Sequence, residues 1–238
     1  MDDYVYLDHA ATTPLDPRVR HAMEPFLGPV FGNPSSLHRA GRKAREAVDA
    51  GRREVAALIG AQPAEIVFTG SGTESDNLAI LGAVAGRQGP THIITSAFEH
   101  PAVLEPCRFL ARQGVEVTFL PVGTDGIVRA EALAAALRPT TRLVSIMAAN
   151  NVVGTIQPIA ELGALAHQAG ALFHTDAVQA AGKVPFNVNE MNVDIASLSA
   201  FVPCSSILRT TPVSSGGFSY PITISGGGQV TDLDFGTL

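Results

Sequence analysis

Glu65-Ile-Val-Phe-Thr-Gly-Ser-Gly-Thr-Glu-Ser-Asp-Asn77 passes from a short run of strand-forming residues, through a glycine-broken turn, into a segment with helical spacing that continues to about residue 86. The same alternation recurs along the chain. Strands are expected over 65–69, 91–96, 115–120, 142–147, 171–174 and 194–198, with helices near 74–86, 102–113, 129–137 and 158–169. Strands alternating with helices predict an α/β fold, a mainly parallel sheet flanked by helices. Ligands of such sheets gather beyond the carboxyl ends of the strands. Ser71-Gly72-Thr73, His100, Asn151, Asp176 and Ser199 each fall at or just past the end of a predicted strand, so one edge of the sheet should collect them despite their separation in sequence.

The segment before residue 64 has turns at Thr13-Pro14 and Asn33-Pro34 and a helix expected from about Ser36 through Leu58. Residues 1–63 thus read as an arm and a long helix laid over a core formed by residues 64–200. Residues 201–238 differ again: Ala, Lys and Glu are absent, and only Arg209, Asp232 and Asp234 are charged. A β-rich, turn-rich ending would explain that composition, and so would a foreign or shifted reading frame.

With 238 residues, 46% of them hydrophobic and 16% charged, the chain has the composition of a soluble globular protein with one main domain. A net charge of -6 gives no broad basic footprint, which argues against nucleic acid or an anionic membrane as the main partner. Arg42, Lys43, Arg45, Arg52 and Arg53 read as the solvated face of the early helix. The acidic start lacks the regions of a signal peptide and no apolar run is long enough to span a bilayer, so a cytoplasmic location is expected. Cys107 and Cys204 are far apart and lack metal-ligand spacing, so neither a metal site nor a disulfide is expected.

Gly70-Ser-Gly-Thr73 opens a helix, where free N–H groups and the positive helix end suit an anion such as phosphate; a turn that merely caps the helix is the commoner meaning. No Lys-Ser/Thr pair follows, so this is not a P-loop. Asp176 ends an apolar strand and could serve as a buried-edge carboxylate or cap a helix beginning at Ala177. His100 could stack on an aromatic ring or move protons, though a lone histidine before proline is more often structural.

The combination is more specific than its parts. Tyr6-Leu-Asp-His-Ala-Ala-Thr-Thr-Pro14, Gly32-Asn-Pro-Ser-Ser-Leu-His38, Phe68-Thr-Gly-Ser-Gly-Thr-Glu-Ser-Asp-Asn77, Glu99-His100, Ala149-Asn-Asn151 with Gly154-Thr-Ile-Gln-Pro158, and His174-Thr-Asp-Ala-Val-Gln179 together resemble the cysteine desulfurases of the class V aminotransferase group, over residues 4–200. The resemblance implies a fold type I large domain that binds pyridoxal phosphate (PLP), converts L-cysteine to L-alanine and passes sulfur as a persulfide to an acceptor protein, as a homodimer. It implies that Gly72, Thr73 and Ser199 hold the phosphate, that His100 stacks on the ring, that Asn151 and Gln179 approach the phenolic oxygen, and that Asp176 pairs with the ring nitrogen. Thr237 would reach the phosphate of the partner subunit.

The departures matter as much. The family's His-Lys pair, whose lysine carries the cofactor, falls on Phe201 and Val202, and the only lysines in the chain are Lys43 and Lys183. Val152 stands where the family has a glutamate. The smaller C-terminal domain with its sulfur-accepting loop cysteine has no counterpart here, and neither Cys107 nor Cys204 matches that cysteine. The chain as written is therefore expected to be inactive, the resemblance also admitting another class V enzyme, such as an aminotransferase or selenocysteine lyase, or a non-catalytic relative.

Overall fold

The computed structural model describes residues 5–86 and 89–199 together with the backbone of a strand at 206–210. Val202 and Thr237 lie outside the described residues. In chain order the elements are α1 (Pro17–Met23), α2 (Arg39–Ile59), β1 (Ile66–Thr69), α3 (Gly72–Val84), β2 (His92–Ser96), α4 (Pro101–Arg112), β3 (Glu116–Leu120), α5 (Ala130–Ala136), β4 (Thr141–Ser145), α6 (Ile159–Gln168), β5 (Leu172–Asp176), β6 (Ile195–Ser199) and β7 (Ser206–Thr210). They form a seven-stranded sheet in the order β1-β7-β6-β5-β4-β2-β3. From β3 to β6 all neighbours are parallel, whereas β7 runs antiparallel to both β6 and β1.

The inner strands are largely buried on both faces, which is why each carries adjacent apolar residues, Ile93-Ile94, Leu143-Val144, Leu172-Phe173 and Ile195-Ala196, instead of strict alternation. Successive side chains still point to opposite sides. Ile93 and Leu143 join Ile80 of α3 and Val103, Cys107 and Leu110 of α4 in one apolar cluster. Ile94, Val144 and Phe173 join Val55 and Ile59 of α2, Leu133 of α5 and Leu162 of α6 in the other. Ser75, Asp76, Ala79 and Ile80 make the buried stripe of α3, the spacing of one helix face. Gly163 lets α6 pack closely, since a Cβ there would meet Asn192 O at 2.6 Å.

Each strand and helix expected within residues 64–200 is present, with ends shifted by up to a few residues. Three local readings are corrected. The long helix starts at Arg39 instead of Ser36, because His38 caps it with Nδ1 accepting from Gly41 N–H at 3.3 Å. No helix follows Asp176: Ala180 and Ala181 N–H both bond to Ala177 O and the chain turns. Arg52 is not a solvated side chain, since its guanidinium donates to Ile66 O and lies 4.8 Å over the Phe68 ring, joining α2 to β1. Arg45 likewise ties α2 to the arm by donating to Pro34 O at 2.9 Å.

Phe173, the second residue of β5, is fully buried. Replacing it by alanine should cost about 3–5 kcal/mol through lost burial and the cavity left behind. Urea unfolding of Phe173→Ala would measure this, and a loss under about 1 kcal/mol would mean that the sheet is not packed as described.

Candidate active site

The sheet order reverses at β2. From there the chain steps outward to β3 and returns to β4 on the other side, so the carboxyl ends of β2 and β4 flank a topological switch point. The segments leaving these two strands are laced together across it. Glu99 Oε1 accepts from Ser96 Oγ at 2.6 Å and from Met147 N–H at 3.0 Å. Asn150 donates to Phe98 O at 3.0 Å, while its Oδ1 accepts from Val152 and Val153 N–H.

Three carboxyls lie out of water here. Asp76, Glu99 and Asp176 are all buried. Burial first, with the neighbouring acids adding to it, pushes Glu99 up to about 8, against the lowering pull of its Ser96 and Met147 hydrogen bonds. Asp76 is pushed up to about 8 by burial and then by the charge of Asp176, while a Ser197 hydrogen bond opposes the rise. Burial also raises Asp176, countered by Val178 N–H donating to Oδ1 at 3.0 Å and by the charge of His100. Among the described residues no lysine or arginine pairs with any of the three.

Beneath Asp176 on the same face of β5 sits His174, wholly buried and held neutral, its pKa lowered to about 3 by burial. Its Nδ1 is 2.8 Å from Ser145 Oγ and its Nε2 is 3.1 Å from Ser197 Oγ and 3.6 Å from Asp76 Oδ1.

The other sequence-derived candidates surround this cluster. Gly72 and Thr73 open α3, one turn before Asp76; Ser71 Oγ is consumed as the cap of that helix, accepting from Glu74 N–H at 3.1 Å. Glu74 in turn accepts from Gly70 N–H, so this turn donor is also taken. His100 caps α4 through Nδ1, which accepts from Ala102 N–H at 3.1 Å. Asn77 of α3 donates to Ala102 O at 3.4 Å and brings the two helix starts side by side. Gln179 leaves the turn after β5, donating to Ala10 O of the arm at 2.9 Å and accepting from Lys183 Nζ. Asn151 is half-buried beyond β4, and Ser199 is the exposed last residue of β6. Electrostatic contact joins Asp176 to His100 and to Asp76, and strand pairing sets Asp176 opposite Ser197.

The family profile described as aminotransferase class-V matches residues 5–201. The chain belongs to this family. It is 54% identical over 197 residues to the cysteine desulfurase IscS of Dictyoglomus turgidum, covering 82% of this chain and 50% of the relative. To the mitochondrial cysteine desulfurase of Arthroderma benhamiae it is 46% identical over 250 residues, covering 98% of this chain and 48% of that protein. This class V chain thus spans about half the length of these curated relatives. The second alignment is longer than the chain itself, so the relative carries residues with no counterpart here. Among solved structures it resembles "SspA in complex with cysteine" with a TM-score of 0.83 at 38% identity, covering 89% of this chain and 65% of that one. A cysteine desulfurase from Thermococcus onnurineus NA1 matches with a TM-score of 0.80 at 29% identity, covering 87% and 53%.

The class V family is one of pyridoxal phosphate enzymes. The donor set fits that cofactor for binding: Asp176 is a buried carboxyl with no lysine or arginine partner among the described residues, suited to a protonated ring nitrogen. The start of α3 suits its phosphate. Asp76, Glu99, Asn150 and Ser197 were not singled out from sequence. The available signal was an acidic residue on the buried stripe of an otherwise apolar helix face, readable at Asp76 once the helix phase is known.

Glu99 makes a pH test. Its unfolded carboxyl loses its proton near pH 4.3, whereas the folded one keeps it to about 8. Unfolding between these values releases a proton, so stability falls as pH rises through that window. In Glu99→Gln this part of the decline should vanish, a relative gain of roughly 2–4 kcal/mol for the variant between pH 5 and pH 8 by urea unfolding. An unchanged pH dependence would show that Glu99 is ionised in the fold.

Proposed function

We propose that this chain is the cofactor-binding part of a PLP-dependent cysteine desulfurase, acting on L-cysteine and delivering sulfur as a persulfide to an acceptor protein for iron–sulfur cluster assembly. The observation that carries the reading is the buried Asp176, with no lysine or arginine partner among the described residues, at the carboxyl end of β5 in a fold shared with a solved cysteine desulfurase. When bound, the cofactor supplies an electron sink next to the reacting carbon of an amino acid. Asp176 holds the ring nitrogen in its protonated form. Gly72, Thr73 and the first N–H groups of α3 bind the phosphate, with Ser199, and Thr237 from a second subunit, as further donors. His100 covers the ring face and excludes water, while Asn151 and Gln179 orient the phenolic oxygen.

Valine at position 202 has no amine with which to hold the cofactor or move a proton. The chain as written therefore binds pyridoxal phosphate without covalent attachment and does not turn over cysteine. A homodimer is part of the proposal. Leu7, Leu27, Phe31 and Leu37 are between 75% and 86% exposed in the arm, apolar surface that a second subunit would cover. The cytoplasm is the proposed location, although relatives also carry mitochondrial and mitosomal names. Among the described residues no helix is long and apolar enough to cross a membrane.

Titrating the purified chain with pyridoxal phosphate should show saturable binding that weakens about 10- to 100-fold in Asp176→Ala, the worth of a charge-assisted hydrogen bond. Equal affinity for the two proteins would remove Asp176 from the site. Borohydride reduction of the loaded chain followed by peptide mass mapping should leave no tagged residue, and a tag on Lys43, Lys183 or a peptide following Ser199 would overturn the non-covalent reading. Light scattering should return twice the monomer mass, falling towards the monomer when Leu7, Phe31 and Leu37 are all replaced by serine; a monomeric unaltered chain would count against the dimer.

A further inference from the structure

We infer that Asp76 is a positioning residue that carries the proton of the buried Asp76–Asp176 carboxyl pair, so that Asp176 keeps the negative charge at the rim. The purpose of this arrangement rests on the cofactor site proposed above; its geometry does not. Two acids that share a water-excluded site cannot both ionise readily, and the proton settles on the one whose surroundings favour the neutral form.

The surroundings are unequal. Asp176 receives a backbone N–H from Val178 and the favourable field of His100, both of which stabilise a carboxylate. Asp76 is 1% exposed and, among the described residues, receives no backbone donor and has no hydrogen-bond partner at its Oδ1. The base nearest to that oxygen is the neutral His174 at 3.6 Å, and Glu99 adds a third acid within electrostatic reach. Asp76 also has a sink for its proton. The Ser197 hydroxyl lies against its carboxyl and 3.1 Å from His174 Nε2, and Ser145 Oγ closes the far end at His174 Nδ1.

When Asp76 is neutral, one direction of hydrogen bonds along this chain gives the Asp76 proton an acceptor. Asp76 O–H donates to Ser197 Oγ, Ser197 O–H donates to His174 Nε2, and His174 Nδ1–H donates to Ser145 Oγ. If Asp76 ionises, the direction reverses and the imidazole proton moves to Nε2. The protonation of Asp76 is thereby written into the tautomer of a histidine two residues from Asp176. The titratable groups facing Asp76 among the described residues are Asp176 and His174 from β5 and Glu99 from the segment after β2, and His100 acts on Asp176.

The test is an NMR titration of the cofactor-free full chain labelled at aspartate Cγ and histidine ring nitrogens, so that it does not depend on whether pyridoxal phosphate binds. One aspartate should titrate far above the rest, near pH 8. That signal should be lost in Asp76→Asn, and in Asp176→Asn it should remain with a lower midpoint because the neighbouring charge is gone. Persistence of the high signal in Asp76→Asn, or no aspartate titrating above about 5.5 in the unaltered chain, overturns the inference. Should either variant fail to fold, the unaltered protein still decides: His174 should carry its proton on Nδ1 at pH 6, and an Nε2–H tautomer there overturns it.

Discussion

Carboxyl groups kept out of water at the carboxyl end of a parallel sheet are the constraint around which this molecule is organised. Asp76, Glu99 and Asp176 come from a helix, a connecting segment and a strand, and burial raises all three, with the charge of Asp176 adding to the rise of Asp76 and of Glu99. Such a cluster is tolerable only if its hydrogen bonds are supplied, because an unpaired buried polar group is costly. Ser96, Met147 N–H, Val178 N–H and Ser197 supply part of them, while Asp76 Oδ1 and Glu99 Oε2 have no hydrogen-bond partner among the described residues, which a neutral carboxyl tolerates better than a carboxylate. The same bonds fix the crossing segments after β2 and β4, so the electrostatic problem and the shape of the cleft have one solution.

The half of the protein outside that cleft is built with less internal support. Residues of the arm touch the site through a single described side-chain bond, Gln179 to Ala10 O, and the arm leaves its large apolar side chains in solvent. The curated relatives that this chain matches are about twice as long as it is.

The parallel sheet was legible in the sequence because short β-rich runs alternate regularly with Ala/Leu-rich helical stretches, and glycine-containing turns punctuate them. The motif at 70–77 announced the start of α3. What stayed hidden depends on facing rather than on pattern. Arg52 looks like any other charge on an amphipathic helix until β1 places a carbonyl and the Phe68 ring beneath it. Asp176 could equally have capped a helix, and only the observed turn at 177–181 shows its Oδ1 serving a single N–H. Asp76 sits in a motif read for its glycines and hydroxyls, and its burial follows from the rotation of α3 on the sheet, which no local spacing reveals. Val202 and Thr237 fall outside the described residues, so the sequence remains the source for both.

The antiparallel strand β7 has a consequence for the order of assembly. It lies between β1 and β6, so β1 has no sheet neighbour until residues 206–210 have joined. Ile66–Thr69 emerges from the ribosome early and then waits for a partner some 140 residues behind it, paying loop-closure entropy at the end instead of the beginning. The turn at 70–73 hangs directly from that strand. Its shape is therefore completed by the last strand of the sheet to be synthesised, and a nascent chain stopped short of β7 would present the remaining strands with β6 as an unpaired edge.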